Sequence, residues 1–230
     1  MIYEFVDKFL MNDLSKEVNK ILPNLNKETN LKIFDIGCFK GNFSRELKKK
    51  LDKKAHFFLF DANPNLKIND FDYEKIAFSN TKGKKNFYLN TFFPASGSSL
   101  NKIHLKDKLW NFTRKLITLN FGKQFEKLEV ETSTIDSYCE ENNIDKIDIL
   151  KIDTEGSEIE ILEGAKLMLN KTKIIVLEVL DEKNKYHEKI SRVNNILEKN
   201  HNFKKVFRKN IWSLGTLSNM KAEDIIFLKK

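Results

Sequence analysis

The chain has 230 residues, 40% hydrophobic and 32% charged, with three Pro and eight Gly, which suits one domain burying its own core and excludes low-complexity or linker-dominated chains. Its two cysteines make neither a disulfide framework nor a metal-ligand cluster, pointing to a reducing cytoplasm, and its apolar runs are too short to span a bilayer. The net charge of +8 comes from 41 basic residues spread among 33 acidic ones without a recognised nucleic-acid motif, so neither a nucleic-acid partner nor a membrane span is expected.

At the N-terminus Glu4, Asp7 and Asp13 break up any signal-peptide core, while Ile2, Phe5, Val6, Phe9, Leu10, Leu14 and Val18 recur at helical spacing and predict a packed helix over residues 1–22. Strand-like and helical runs then alternate, the pattern of a sheet covered by helices on both faces. Residues 31–36 read as a first strand, 42–51 as its helix, and 55–60 as a second strand ending at Asp61. Residues 75–78 predict a third strand and 84–89 a short hairpin arm. The region 91–128 is the least regular, with a small-residue turn at Ser96 to Ser99 and an amphipathic stretch holding Ile103, Trp110, Leu116 and Ile117. Long connections of this kind commonly cover a bound substrate. Ser133 and Thr134 are plausible caps for a helix over 135–142. Ile147, Ile149, Leu150 and Ile152 form the apolar run of a buried parallel strand, followed by an acidic turn and a helix over 157–169. Residues 172–180 are another buried strand, 188–199 a helix, and 202–208 and 224–228 two final strands. The basic cluster Lys204, Lys205, Arg208 and Lys209 falls in the first of these two.

Three turns carry the chemistry. The first strand runs into Asp35-Ile-Gly37-Cys38-Phe39-Lys40-Gly41 and then a helix, where glycines let backbone N–H groups approach a ligand closely. The pattern lacks G-x-G-x-x-G, which weakens a dinucleotide reading and suits a ligand with a carboxylate and a cationic end near Asp35. Asp61 ends the second strand, where an acid commonly accepts hydrogen bonds from ribose hydroxyls. Asp153, Glu155 and Glu158 crowd the turn after the third buried strand, at the edge where open α/β sheets bind ligands; helix capping explains acids there equally well.

The segments DIGCFKGNFSREL, LFDANPNL and DILKIDTEGSEIEILEGA resemble the FkbM-type S-adenosylmethionine-dependent methyltransferases, the last of them close to that family's K-I-D-x-E-G-x-E-x-x-x-L-x-G-A signature. IAFSN, SGSSL and TSTIDSY occur in the expected order, so the resemblance covers nearly the whole chain. It departs at Cys38 and Phe39, where small or polar residues are usual, and at Asp61-Ala62, where Glu-Pro is usual. The resemblance implies a class I methyltransferase fold, Rossmann-like and α/β, with a mostly parallel seven-stranded sheet flanked by helices and its last strand antiparallel. It implies that Asp35, Gly37, Cys38 and Gly41 hold the amino acid end of S-adenosylmethionine, that Asp61 and Ala62 meet its ribose, that Ala77 and Phe78 lie near the adenine, and that Asp153 borders the cofactor.

Methyl transfer then needs an acceptor and a destination for its proton. Asp153 and Glu155 are the candidates for positioning or deprotonating a hydroxyl, with Glu178 on the neighbouring strand joining them. A divalent cation held by Asp153 and Glu178 is a second route to the same end. Ser98, Ser99 and His104 are the candidate substrate contacts, and Trp110 and Phe112 could form an aromatic platform. The expected activity is O-methylation of a sugar, glycan or small metabolite. A non-catalytic binding module and an NAD-type oxidoreductase are the alternatives. The tetrapeptide usual in nucleic-acid N-methyltransferases is absent, since Thr154 and Glu155 follow Asp153.

Overall fold

In the computed structural model, residues 14, 16–22, 30–51, 55–92, 97–119, 121–211 and 218–230 are described. The first half of the N-terminal stripe, Ile2 to Leu10, lies outside them. Its later part is helical, and Leu14, Val18 and Leu22 pack into the core. Strand β1 (Leu31–Ile36), helix α1 (Asn42–Leu51) and strand β2 (Ala55–Phe60) follow at the expected bounds. Next come β3 (Tyr73–Glu74), β4 (Ala77–Phe78), β5 (Gly83–Asn90), α2 (Ile103–Lys106), α3 (Lys108–Thr118), β6 (Phe125–Ser133) and α4 (Ile135–Glu141). The chain then forms β7 (Ile147–Ile152), α5 (Glu158–Glu163), β8 (Thr172–Glu182), α6 (Tyr186–Asn194), β9 (Phe203–Asn210) and β10 (Met220–Lys229).

Seven strands form one sheet in the order β3-β2-β1-β7-β8-β10-β9. All pairings from β3 to β8 are parallel, and β10 enters antiparallel between β8 and β9. The apolar runs of β1, β7 and β8 are continuous because both faces of the sheet are covered. Ile33, Ile149, Ile174 and Val176 pack beneath α1 and the N-terminal helix, while Phe34, Leu150, Ile175 and Leu177 pack on the opposite face with α4, α5 and α6.

Three expectations need correction, and the basic cluster finds its place. The third strand of the sheet is Tyr73–Glu74, paired with Leu59 and Phe60; Ala77–Phe78 turn away to pair with Thr132 and Ser133 in a separate three-stranded sheet, β4-β6-β5. The hairpin arm at 84–89 is β5, and its partner is β6, some forty residues on. That partner was hidden in the irregular region, which also holds α2 and α3. The helix after the acidic turn stops at Glu163, because the Asp136 carboxylate accepts the N–H groups of Leu167 and Met168 at 3.0 and 2.9 Å and draws them out of helical register. Leu167 is accordingly 68% exposed rather than on the apolar face. Finally, the basic cluster of β9 lies on an edge strand, where lysines discourage further pairing; Arg208 is held by Glu223 at 2.7 and 3.0 Å. Among the described residues, no helix is long and apolar enough to cross a membrane.

Candidate active site

The carboxyl ends of β1, β2 and β7 meet at one edge of the sheet. Gly37 leaves β1 at φ 72°, and its N–H donates to the Phe60 carbonyl at 2.9 Å. A Cβ there would sit 1.7 Å from the Asp153 carbonyl oxygen, so only glycine lets the β1 and β7 turns approach this closely. Gly41, at φ 74°, is buried at the start of α1 and closes the turn by donating to the Cys38 carbonyl at 2.7 Å.

Asp61 ties this turn to the next one. Its carboxylate accepts the Phe39 N–H and the Asn63 N–H, both at 2.9 Å. Burial pushes its pKa up from the ordinary value, while those two N–H groups and Lys151 pull it back. The Cys38 thiol, beside it, is raised by burial and by the Asp35 and Asp61 charges, so it stays protonated and unreactive.

The three turns border a cleft whose empty space, open mouth included, is about 860 Å³. Along the sheet order β2-β1-β7, Asp61 and Ala62 follow β2, Gly37 and Cys38 follow β1, and Asp153 and Glu155 follow β7; Ala77, Phe78, Ser98 and Ser99 complete the lining. Behind Phe78 an aromatic cluster of Phe60, Phe34 and Tyr138 meets edge-on, with ring centroids 4.8 Å apart for Phe60 and Phe78. The lining is apolar at Ala77 and Phe78 and acidic at Asp61, Asp153 and Glu155. Such a shape fits a nucleoside with a zwitterionic tail: the Asp61 oxygens retain lone pairs for ribose hydroxyls, and the buried Phe78 offers a flat apolar surface to a base.

Lys151, which sequence reasoning missed, forms the floor. Its ammonium lies 3.1 Å from Asp35, 3.3 Å from Asp153 and 3.2 Å from the Gly37 carbonyl. Burial disfavours its charge, but the two carboxylates overcome that and raise its pKa. Asp35 also accepts a 2.7 Å hydrogen bond from Ser44 and is fully buried, so it meets the cleft only through Lys151.

The acidic turn divides its carboxylates among separate jobs. Glu155, at φ 55°, accepts the Gly97 N–H at 2.9 Å and faces His104 Nε2 at 3.0 Å, holding the loop that precedes α2. Ser99 reinforces the hold through Thr154 O at 3.0 Å, as does Asn101 through Gly156 O at 2.8 Å. Ser98 accepts the Asn90 N–H at 2.9 Å. Glu158 is buried within α5, accepts the Gly156 N–H at 2.8 Å and pairs with Lys189 of α6 at 2.7 Å. Lys189 spends its other donors on the Gly156 and Leu180 carbonyls.

Glu178 sits behind the wall. It follows Leu177, the register partner of Ile152, which sets it beside Asp153, and across β10 it faces Asp224. Burial raises its pKa well above the ordinary value, and the charges of Asp153, Glu155, Asp224 and Glu158 add to the effect. Asp224, also unforeseen, is pushed up to about 7 by burial and by Asp153, against the pull of Lys151 and Lys209. Among the described residues no group of three or more His, Cys, Asp or Glu side chains is placed to hold a metal ion. Phe112 is exposed, away from the cleft, and the Trp110 side chain lies outside the described set.

Comparison with known proteins identifies the family of the chain. The profile described as "Methyltransferase FkbM domain" matches residues 35–205, most of the chain. This chain belongs to the FkbM methyltransferase family. It is an S-adenosylmethionine-dependent methyltransferase with the α/β fold that the sequence implied. The methyltransferase is 24% identical over 189 residues to the 2-O-methyltransferase NoeI of Sinorhizobium fredii (strain NBRC 101917 / NGR234), covering 78% of this chain and 75% of that one. Among solved structures it is similar to Trm5b from Pyrococcus abyssi at 16% identity and TM-score 0.44, covering 93% of this chain but 47%, about half, of that longer one. It is also similar to the N-terminal domain of EvdMO1 with SAH bound, at 7% identity and TM-score 0.41, covering 94% and 80% of the two chains.

Proposed function

We propose that the enzyme moves the methyl group of S-adenosylmethionine to a hydroxyl oxygen of a sugar, glycan or small metabolite, in the cytoplasm, with Asp153 as the acid that faces the acceptor. The observation that carries this reading is the position of Asp153 in the cleft lining, against the Gly37 turn and two strands from Asp61, with its carboxylate 3.3 Å from Lys151. The similarity to a 2-O-methyltransferase supports an oxygen acceptor.

S-adenosylmethionine, when bound, supplies a methyl group already activated by its sulfonium, so the protein's share is alignment and proton removal. Asp61 would hold the ribose, Gly37 and Cys38 the tail, and Ala77 and Phe78 the base. Lys151 lies 3.3 Å from the Asp153 carboxylate, which would accept the hydroxyl proton late in the transfer. Glu155 does not serve as the base in this reading, because His104 and Gly97 N occupy it. It positions the loop instead. We read the chain as one catalytic domain in which residues 91–128 cover the acceptor, anchored to the acidic turn by Ser99, Asn101 and His104.

The test is transfer of a labelled methyl group to a panel of free and nucleotide-linked sugars and simple alcohols. Asp153→Asn should lower kcat roughly 10²- to 10⁴-fold, the usual worth of a general base, with little change in cofactor affinity. Full activity in that variant, or transfer only to nitrogen acceptors, contradicts the proposal.

A further inference from the structure

Among its described side chains, helix α3 buries polar contacts and exposes apolar groups. Its neighbours Asp107 and Gln124 are buried, and its own Asn111 turns inward: Asn111 donates to the His104 carbonyl at 2.7 Å and accepts from Gln124 at 3.2 Å, while Asp107 accepts Ser218 Oγ at 2.8 Å and Asn219 N at 3.0 Å. The described apolar side chains of the helix are exposed. Leu109, Phe112 and Leu116 are 55%, 55% and 47% exposed, and Leu105, Leu119 and Phe121 continue the stripe beyond the two ends of the helix. Six of the eight exposed large apolar residues found among the described residues fall in this one segment. Single exposed leucines need no explanation, but a contiguous set of six does.

The charge around the stripe has one sign. Lys106, Lys108, Lys115 and Lys123 flank it, and the only acid between residues 102 and 123 is the buried, hydrogen-bonded Asp107. A shallow groove of about 430 Å³ beside Phe112 is lined by Lys108, Lys115 and Lys123 with no acid at all. Apolar side chains rimmed by lysines complement one surface in particular, an anionic lipid headgroup layer over hydrocarbon. Four of the six exposed side chains are leucines, which suit acyl chains rather than base stacking, and the lysine rim opposes its own copy across a two-fold axis.

We propose that the face formed by residues 105–123 docks the enzyme on anionic bilayer surfaces as a peripheral, non-spanning contact. The leucines and Phe112 would enter the boundary between headgroups and acyl chains, and the lysines would meet lipid phosphates. None of residues 105–123 lines the cleft, so vesicle binding can be read separately from methyl transfer.

Sedimentation of the full chain with vesicles of phosphatidylcholine, with and without phosphatidylglycerol, tests it. The protein should pellet with the anionic vesicles, remain mostly in solution with the neutral ones, and be released by high salt. Combined Leu109→Ser, Phe112→Ser and Leu116→Ser should abolish the binding, and Lys108→Gln or Lys123→Gln should weaken it roughly fivefold each. S-adenosylmethionine affinity and the melting temperature serve as folding controls for each variant. The proposal is overturned if the wild type ignores anionic vesicles, or if the triple serine variant binds them equally well. It is also overturned if the patch instead drives dimerisation or RNA retention without vesicle binding.

Discussion

Lys151 and Lys189 each place an ammonium among buried oxygens, one under the cleft and one under the acidic turn, and each is the sole buried cation beside its carboxylates among the described residues. Removing a single partner from such a group leaves an uncompensated charge, a loss of about 3–5 kcal/mol. Lys189→Met should therefore lower stability by that order in chemical denaturation and leave Glu158 stranded, while Lys189→Arg should recover part of it. Asp224 gives a test through pH. An aspartate has an ordinary pKa of 3.8, and in the fold Asp224 titrates near 7. Between those values the unfolded chain has lost a proton that the folded one keeps, so this residue's contribution falls as pH rises through the window and levels off above it. Asp224→Asn should consequently gain stability relative to wild type on going from about pH 4 to about pH 8, measured by denaturant midpoints; an unchanged difference contradicts the assignment. Lys151 and Asp224 were invisible in the sequence for a common reason. A lone Lys or Asp in an apolar run reads as the solvent side of an alternating element, and only the register between β1, β7, β8 and β10 brings their charges together. Gly37, Asp61 and Asp153 were legible because each falls at a strand end beside a turn signal.

At the scale of elements, the sequence was informative wherever burial was complete. β1, α1, β2, β7 and β8 carry continuous apolar or strongly amphipathic patterns, so their bounds could be read directly. β6 could not, because its solvent side contributes Glu126, Lys127, Glu129 and Glu131, leaving only Phe125, Leu128 and Val130 as a sparse alternation. The end of α5 was missed too, since the carboxylate that stops it belongs to α4. A glycine marks that junction: a Cβ on Gly164 would lie 2.2 Å from the Ser79 carbonyl oxygen. Gly164→Ala should force α5 away from β4 and lower the melting temperature by several degrees, roughly what 1–3 kcal/mol does to a domain of this size. A melting temperature equal to wild type contradicts that packing. The loop before α2 offers a second test, one that separates anchoring from chemistry. His104→Ala removes a partner of Glu155 and loosens residues 97–107, so it should raise KM for the acceptor several-fold while leaving cofactor affinity within a factor of two, by roughly the worth of one hydrogen bond.

The whole molecule is a sheet whose carboxyl edge gathers three turns distant in sequence, with Asp61 bonded to the first of them and Lys151 to the first and last. Open α/β sheets bind ligands at that edge because the strands end there while the helices begin, leaving backbone donors and short side chains around a crevice. The family resemblance named the cofactor, and the geometry adds the division of labour among the acids: Asp61 and Asp153 in the cleft lining after β2 and β7, Glu155 and Glu158 in the scaffold. The central claim, that this crevice binds S-adenosylmethionine through Asp61, is tested most directly by isothermal titration calorimetry. Wild type should bind the cofactor one to one, and Asp61→Ala should weaken binding about 10- to 150-fold, the worth of a charged hydrogen bond, with the fold intact by circular dichroism. Equal affinity in the two proteins, or no heat of binding to the wild type, contradicts the account.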